Sequence, residues 1–174
     1  GVVVEIHGGP EGQERPMFSP MLQYLVGEGL TIVAPNVRGS TGYGKTYHHL
    51  DDVEKRLDSV HDAACLAEHL VQAGIAPKGK IAVMGASYGG YMTNWIIGHT
   101  QRFKAACAMR SISNFVTSIS TCDKGYLFLL EHMGLNALER KGVIWDESQI
   151  LWDKSPLKYV RNVTTPTLFI HSNT

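Results

Sequence analysis

Two short stretches hold residues whose types and spacing could do chemistry, and they imply different reactions. Residues 39–46, GSTGYGKT, fit the phosphate-loop pattern G-x-x-x-x-G-K-[ST], with Gly39 opening it and Gly44, Lys45 and Thr46 closing it. Such a loop leaves a buried strand directly and opens a helix whose backbone N–H groups hold phosphate. Residues 84–90, MGASYGG, contain Gly85-x-Ser87-x-Gly89, the pattern of a nucleophile elbow. There a serine sits on a tight strand-to-helix turn that pushes its hydroxyl out over the sheet edge, where it can attack a carbonyl. The flanking elements decide between the two.

GVVVEIHGG, TIVAPN, KIAVMGAS, KAACAMR and TPTLFIH each read as a short strand. FSPMLQYLVGEG places Phe18, Met21, Leu22 and Leu25 at helical spacing, and Gly27 and Gly29 mark its end. DSVHDAACLAEHLVQAG carries a stripe of Val60, Ala63, Ala64, Ala67, Leu70 and Val71, closed by Gly74. A third helix follows Ser87 through YMTNWIIG, and Ser111 to Val163 is a long mixed stretch with short helices around a pocket. Strands apolar on both faces and alternating with helices specify an α/β fold with a parallel sheet covered on both sides.

Against that frame the phosphate loop fails its context. Pro35, Asn36, Val37 and Arg38 separate the strand from Gly39, and YHHLDDVEK after Thr46 lacks the apolar stripe of a docked helix. No later strand ends in an Asp for magnesium. The segment reads as a loop whose glycines permit tight turns, with Lys45 solvated. The elbow passes the same test, with KIAVM before it and GYMTNWII after it. Gly85 and Gly89 must lack side chains for strand and helix to approach. The Tyr88 backbone N–H falls at the helix start, where it can stabilise an oxyanion. HGGP, residues 7–10, leaves the first strand, and the Gly8–Gly9 pair offers the second oxyanion donor. His7 reads as a loop-shaping residue, because the usual base comes late in such a chain.

The bulk numbers exclude several classes. The chain has 174 residues, 44% of them apolar, enough for one domain with a core. Charged residues are 18%, below the roughly 25% usual in soluble domains, as in a piece covered by something else in its parent molecule. Lys plus Arg balances Asp plus Glu at 16 each, so nothing argues for nucleic acid or a membrane surface. Cys65, Cys107 and Cys122 show no metal-ligand pairing and read as reduced core or near-core thiols in a cytoplasmic protein. No cofactor or metal is called for.

HGGP, QYLVGEG, APNVRGSTGYG, VMGASYGGYMT, RSISN, SPLKYV and TPTLFIH occur in an order and at intervals that resemble the catalytic domain of the prolyl oligopeptidase family of serine peptidases. The likeness is greatest to the acylaminoacyl-peptidase and dipeptidyl-peptidase-like branch, and it runs along nearly all of the chain. It implies a partial α/β-hydrolase domain over residues 1–174, acting on short peptides, with Ser87 as acyl nucleophile. Tyr88 N–H and a Gly8 or Gly9 N–H would form the oxyanion hole, and Ile112 and Phe115 would line the pocket beside the scissile bond. RGSTGYG becomes a structural loop beside the active site. The family also carries an N-terminal β-propeller, of which nothing is present.

In the family the catalytic acid follows the TPTLFIH strand near the position of His171, and the histidine comes further on. Both are therefore expected outside this chain. Asp62, Asp123, Asp146 and Asp153 read as caps, charges or loop contacts. His48, His49, His61, His69, His99 and His132 lie on helices or loops with no argument for facing the elbow. The expectation is a fragment of an active hydrolase, itself inactive or nearly so, whose two open sheet edges favour a homo-oligomer or aggregation. A carboxylesterase of the same fold and a non-catalytic peptide-binding module are the alternatives.

Overall fold

The computed structural model describes residues 1–9, 11–122 and 148–173. Five strands form one sheet in the order β2-β1-β3-β4-β5. They are β1 (Val2–Ile6), β2 (Thr31–Val33), β3 (Ile81–Ala86), β4 (Ala105–Met109) and β5 (Thr167–Ile170), and every pairing is parallel. The strand positions agree with the apolar runs in the sequence. β1 and β3 lie side by side inside the sheet, with Val2 opposite Ile81 and Ile6 opposite Gly85. Both are buried along most of their length, which is why they read as unbroken apolar runs.

Six helices accompany the sheet among the described residues: α1 (Pro20–Gly27), α2 (Lys45–His48), α3 (Arg56–Gln72), α4 (Tyr88–His99), α5 (Phe115–Thr121) and α6 (Ser148–Asp153). A 3-10 helix spans Pro156–Asn162. The core joins Val4, Ile6 and Val83 to Val60, Ala63, Ala67 and Leu70 of α3 and to Tyr91, Met92, Trp95 and Ile96 of α4. Ala64 and Val71, expected on the α3 stripe, are only half-buried at its margin, and Arg56 and Ser59 take buried places instead.

α1 departs from expectation. Its start is capped as the sequence implies, with Ser19 Oγ accepting from Leu22 N–H at 3.4 Å and Pro20 in the first turn. Yet α1 has no buried residue, and Phe18 and Met21 are exposed. Helical spacing announced a face to be covered, and among the described residues only Leu22 and Leu25 of that face are half-buried, where α1 meets β2. The cysteines also depart: all three are free, but Cys65 and Cys122 are exposed and only Cys107, in β4, is half-buried. Periodicity agrees with the exposure of Cys65, which stands on α3 beside the stripe rather than in it. Among the described residues no helix is long and apolar enough to cross a membrane, and no His/Cys/Asp/Glu cluster could hold a metal.

Candidate active site

The elbow is built by backbone contacts that leave no space for side chains. A Cβ on Gly85 would lie 2.5 Å from the carbonyl carbon and oxygen of Gly89, so strand and helix touch across Ser87. A Cβ on Gly89 would lie 2.0 Å from the Ile6 carbonyl oxygen at the end of β1. Gly90, to which the motif assigns no role, is constrained in the same way, since its Cβ would meet Met109 O at 2.7 Å. Its signal was the doubled glycine in YGGY.

Between these elements Ser87 adopts φ 58° and ψ −120°, a backbone region that costs a non-glycine residue about 1–3 kcal/mol. The turn is over-determined: Ser87 N–H donates to Met109 O of β4 at 3.0 Å, and Ser87 O accepts from Tyr91 N–H at 2.9 Å. Ser87 is the one exposed residue between Ile81 and Gly98. The fold thus isolates a single hydroxyl at the C-terminal edge of the sheet. Tyr88 N–H occupies the first position of α4, where no intrahelical carbonyl can accept it and the helix dipole favours negative charge.

The Gly8–Gly9 turn comes to the same place. A Cβ on Gly8 would stand 3.7 Å from Ser87 Cβ and 3.4 Å from Ala86 O, so the exit of β1 runs beside the elbow. Gly9 has φ +140° and a Cβ there would lie 2.5 Å from Glu11 N, which only glycine tolerates. Pro10 lies outside the described residues. His7 is buried, with Nε2 2.8 Å from Ser40 Oγ and Nδ1 2.7 Å from Gly8 O. Ser40 Oγ in turn lies 2.6 Å from Val37 O. His7 therefore ties the glycine turn to the RGSTGYG loop.

That loop has no phosphate-loop geometry. The helix after it, α2, is four residues long, and Lys45 is exposed. Its fixed points are structural: Arg38 pairs with Asp62 at 2.6 Å and with Asp58 at 3.0 Å. Hydrogen bonding to Asp62 raises the Arg38 guanidinium further above its ordinary pKa.

Sequence reasoning missed a buried cluster behind the elbow. Tyr88 OH donates to Asp51 Oδ2 at 2.9 Å, and Arg56 Nη1 donates to Asp51 Oδ2 at 2.6 Å and to Tyr88 OH at 2.5 Å. All three side chains are buried, and burial pushes the Tyr88 phenol well above its ordinary range, so it stays protonated. Arg56 was the available signal. It stands four residues before Val60 and seven before Ala63, on the apolar stripe of α3, where a cation needs a buried partner.

The remaining site residues fall as follows. Ile112 is half-buried against the core. Phe115 is 1% exposed, with its ring 5.1 Å from that of Tyr91, so it packs beneath α4 and presents no surface to a ligand among the described residues. His49 pairs with Asp52, His61 with Cys65, and His99 stacks on Trp95 at the far end of α4. Asp153 pairs with Lys158. His48 sits beside His49, His69 is exposed in the last turn of α3, and His171 is exposed just after β5. None of these is hydrogen-bonded to Ser87. Asp123, Asp146 and His132 lie outside the described residues.

Comparison with known proteins gives the family and the fold. The sequence profile of the prolyl oligopeptidase family matches residues 16–174. The chain belongs to that family. It is 37% identical to the uncharacterized peptidase YuxL of Bacillus subtilis over 98% of this chain and 25% of that protein. It is 31% identical to dipeptidyl peptidase family member 6 of Caenorhabditis elegans over 97% of this chain and 23% of that protein. Among solved structures, Pyrococcus horikoshii acylaminoacyl peptidase superposes with a TM-score of 0.85 at 34% identity, covering 98% of this chain and 27% of that one. An acylaminoacyl peptidase in complex with Z-Gly-Gly-Phe-chloromethyl ketone superposes with a TM-score of 0.84 at 34% identity, covering 98% and 27%. The fold is thus that of the α/β-hydrolase domains of acylaminoacyl peptidases. The chain spans about a quarter of the length of the curated relatives it matches.

Proposed function

We propose that this chain is the centre of the catalytic domain of a serine peptidase that hydrolyses short peptides through an acyl-enzyme on Ser87. The observation that carries the reading is Ser87 itself: strained at φ 58°, exposed, and followed at once by the free first N–H of α4. Ser87 Oγ attacks the peptide carbonyl and loses its proton to a base. The oxyanion that forms is stabilised by Tyr88 N–H and by an N–H of the Gly8–Gly9 turn. Collapse of this intermediate expels the amine, which takes the proton, and leaves an ester on Ser87. Water then repeats the sequence and releases the acid.

The base and its orienting carboxylate come from residues outside this chain, in keeping with relatives of about four times its length. A β-propeller in the parent protein restricts entry to short peptides. Ile112 lines the pocket for the side chain beside the scissile bond, with Phe115 supporting it from the core. The complex of an acylaminoacyl peptidase with a peptidyl chloromethyl ketone supports peptide as the substrate class. The parent is cytoplasmic, while the 174-residue chain alone associates through its open sheet edges and has little or no activity.

The test uses the full-length gene product. It should hydrolyse blocked dipeptide amides, and Ser87→Ala should lower kcat by of order 10⁶-fold, as removal of a serine nucleophile does elsewhere. Turnover of p-nitrophenyl esters alone would make it a carboxylesterase. Peptide binding without turnover would make it a binding module.

A further inference from the structure

On the reading that Ser87 is the nucleophile, we infer that Asp51, Arg56 and the Tyr88 hydroxyl are positioning groups that hold both donors of the oxyanion hole through one continuous run of hydrogen bonds and close backbone packing. Tyr88 contributes its N–H to the first donor, and its side chain cannot drift because its hydroxyl is held on both sides, by Asp51 at 2.9 Å and Arg56 at 2.5 Å. The Arg56 guanidinium also lies 5.5 Å from the Tyr88 ring centre. Asp51 and Arg56 are buried, so the network is not diluted by water.

The run continues from Asp51 to the second donor. The Asp51 carboxylate fills the place beside Gly39, where a Cβ would come within 2.2 Å of Oδ1. Gly39 precedes Ser40, which is fully buried and holds His7 Nε2 at 2.8 Å. His7 begins the turn that carries Gly8 and Gly9 past Ser87. The RGSTGYG loop thus fixes the distance between the two halves of the hole. Gly39 serves close backbone approach to Asp51, and Gly42 to Gln13, rather than phosphate.

A group acting this way changes transition-state stabilisation and leaves substrate binding nearly alone. The experiment measures kcat and KM for a peptide amide with the full-length protein, per active site titrated to completion with a fluorophosphonate. Tyr88→Phe and Asp51→Asn should each lower kcat per titrated site by about 10–100-fold, the scale of a misplacement near 1 Å, with KM changed by less than about threefold. Arg56→Lys should retain more kcat than Arg56→Met. A purely structural role would lower the number of titratable sites and leave kcat per site intact. Tyr88→Phe, which removes one oxygen atom, keeps the test informative if Asp51→Asn fails to fold. Wild-type kcat per site in both variants overturns the inference alone. A wild-type protein that takes up no label and turns over no peptide overturns it together with the nucleophile assignment.

Discussion

α4 and α1 are both apolar helices, and they meet their surroundings in opposite ways. In α4 every residue from Tyr88 to Gly98 is buried, under the 3-10 helix on one side and over β1, β3 and β4 on the other. In α1 no residue is buried, although it packs along β2 and carries Met21, Leu22, Leu25 and Val26. β5 behaves like α1, with Leu168, Phe169 and Ile170 all exposed. Apolar content therefore does not separate the two regions. What separates them is whether the described residues supply the partner surface. The half that shapes the elbow is packed on both sides, whereas α1 and β5 keep most of their apolar residues exposed among the described residues.

The largest expected effect lies at the tightest contact. Gly89→Ala places a methyl 2.0 Å from the Ile6 carbonyl, a backbone group that cannot turn aside. The cost should exceed the roughly 1–3 kcal/mol of ordinary overpacking and be visible as loss of cooperative denaturant unfolding. Gly27→Ala, at the end of α1, meets nothing within 4 Å and should stabilise by about 0.5–1 kcal/mol through helix propensity.

A pair of phenylalanines sharpens the same contrast. Phe115→Ala removes a ring from the core and should cost about 3–5 kcal/mol. Phe18, 79% exposed, should change stability by less than about 0.5 kcal/mol on the same substitution. Urea midpoints of the 174-residue chain measure both. An equal cost at Phe18 would mean that the α1 surface is already covered.

A pH-dependent effect concerns Glu5, which points away from Val4 and Ile6 by the strand period. Burial, with a smaller contribution from Glu14, raises its carboxyl from 4.5 to about 7. The folded chain therefore holds a proton through that interval which the unfolded chain has lost. Stability from this group is full below about pH 4.5 and is lost as pH rises through 7. Glu5→Gln should raise the thermal midpoint by about 2–4 °C at pH 8 and leave it unchanged at pH 4.5.

Much of this was legible in the sequence for a physical reason. Buried parallel strands must be apolar on both faces, and an elbow must have glycines at fixed offsets from its serine, so β1, β3, β4 and Ser87 announce themselves locally. The phosphate-loop pattern could be rejected locally too, because Lys45 and Thr46 open no apolar helix. Asp51, Arg56 and Tyr88 could not be assembled in this way. Tyr88 lies more than thirty positions from the other two, and Asp51, in a loop, reads as solvated until the fold buries it. The exposure of α1 was likewise illegible, since periodicity marks a face that needs covering without saying what covers it.

The central claim is that one exposed, strained serine performs the chemistry. It is tested most directly by treating the full-length gene product with a fluorophosphonate and locating the adduct by mass spectrometry while peptide hydrolysis is followed in parallel. The account predicts a single adduct, on Ser87, formed at the rate at which hydrolysis is lost. An adduct on a different serine, or hydrolysis that survives complete modification of Ser87, would contradict it.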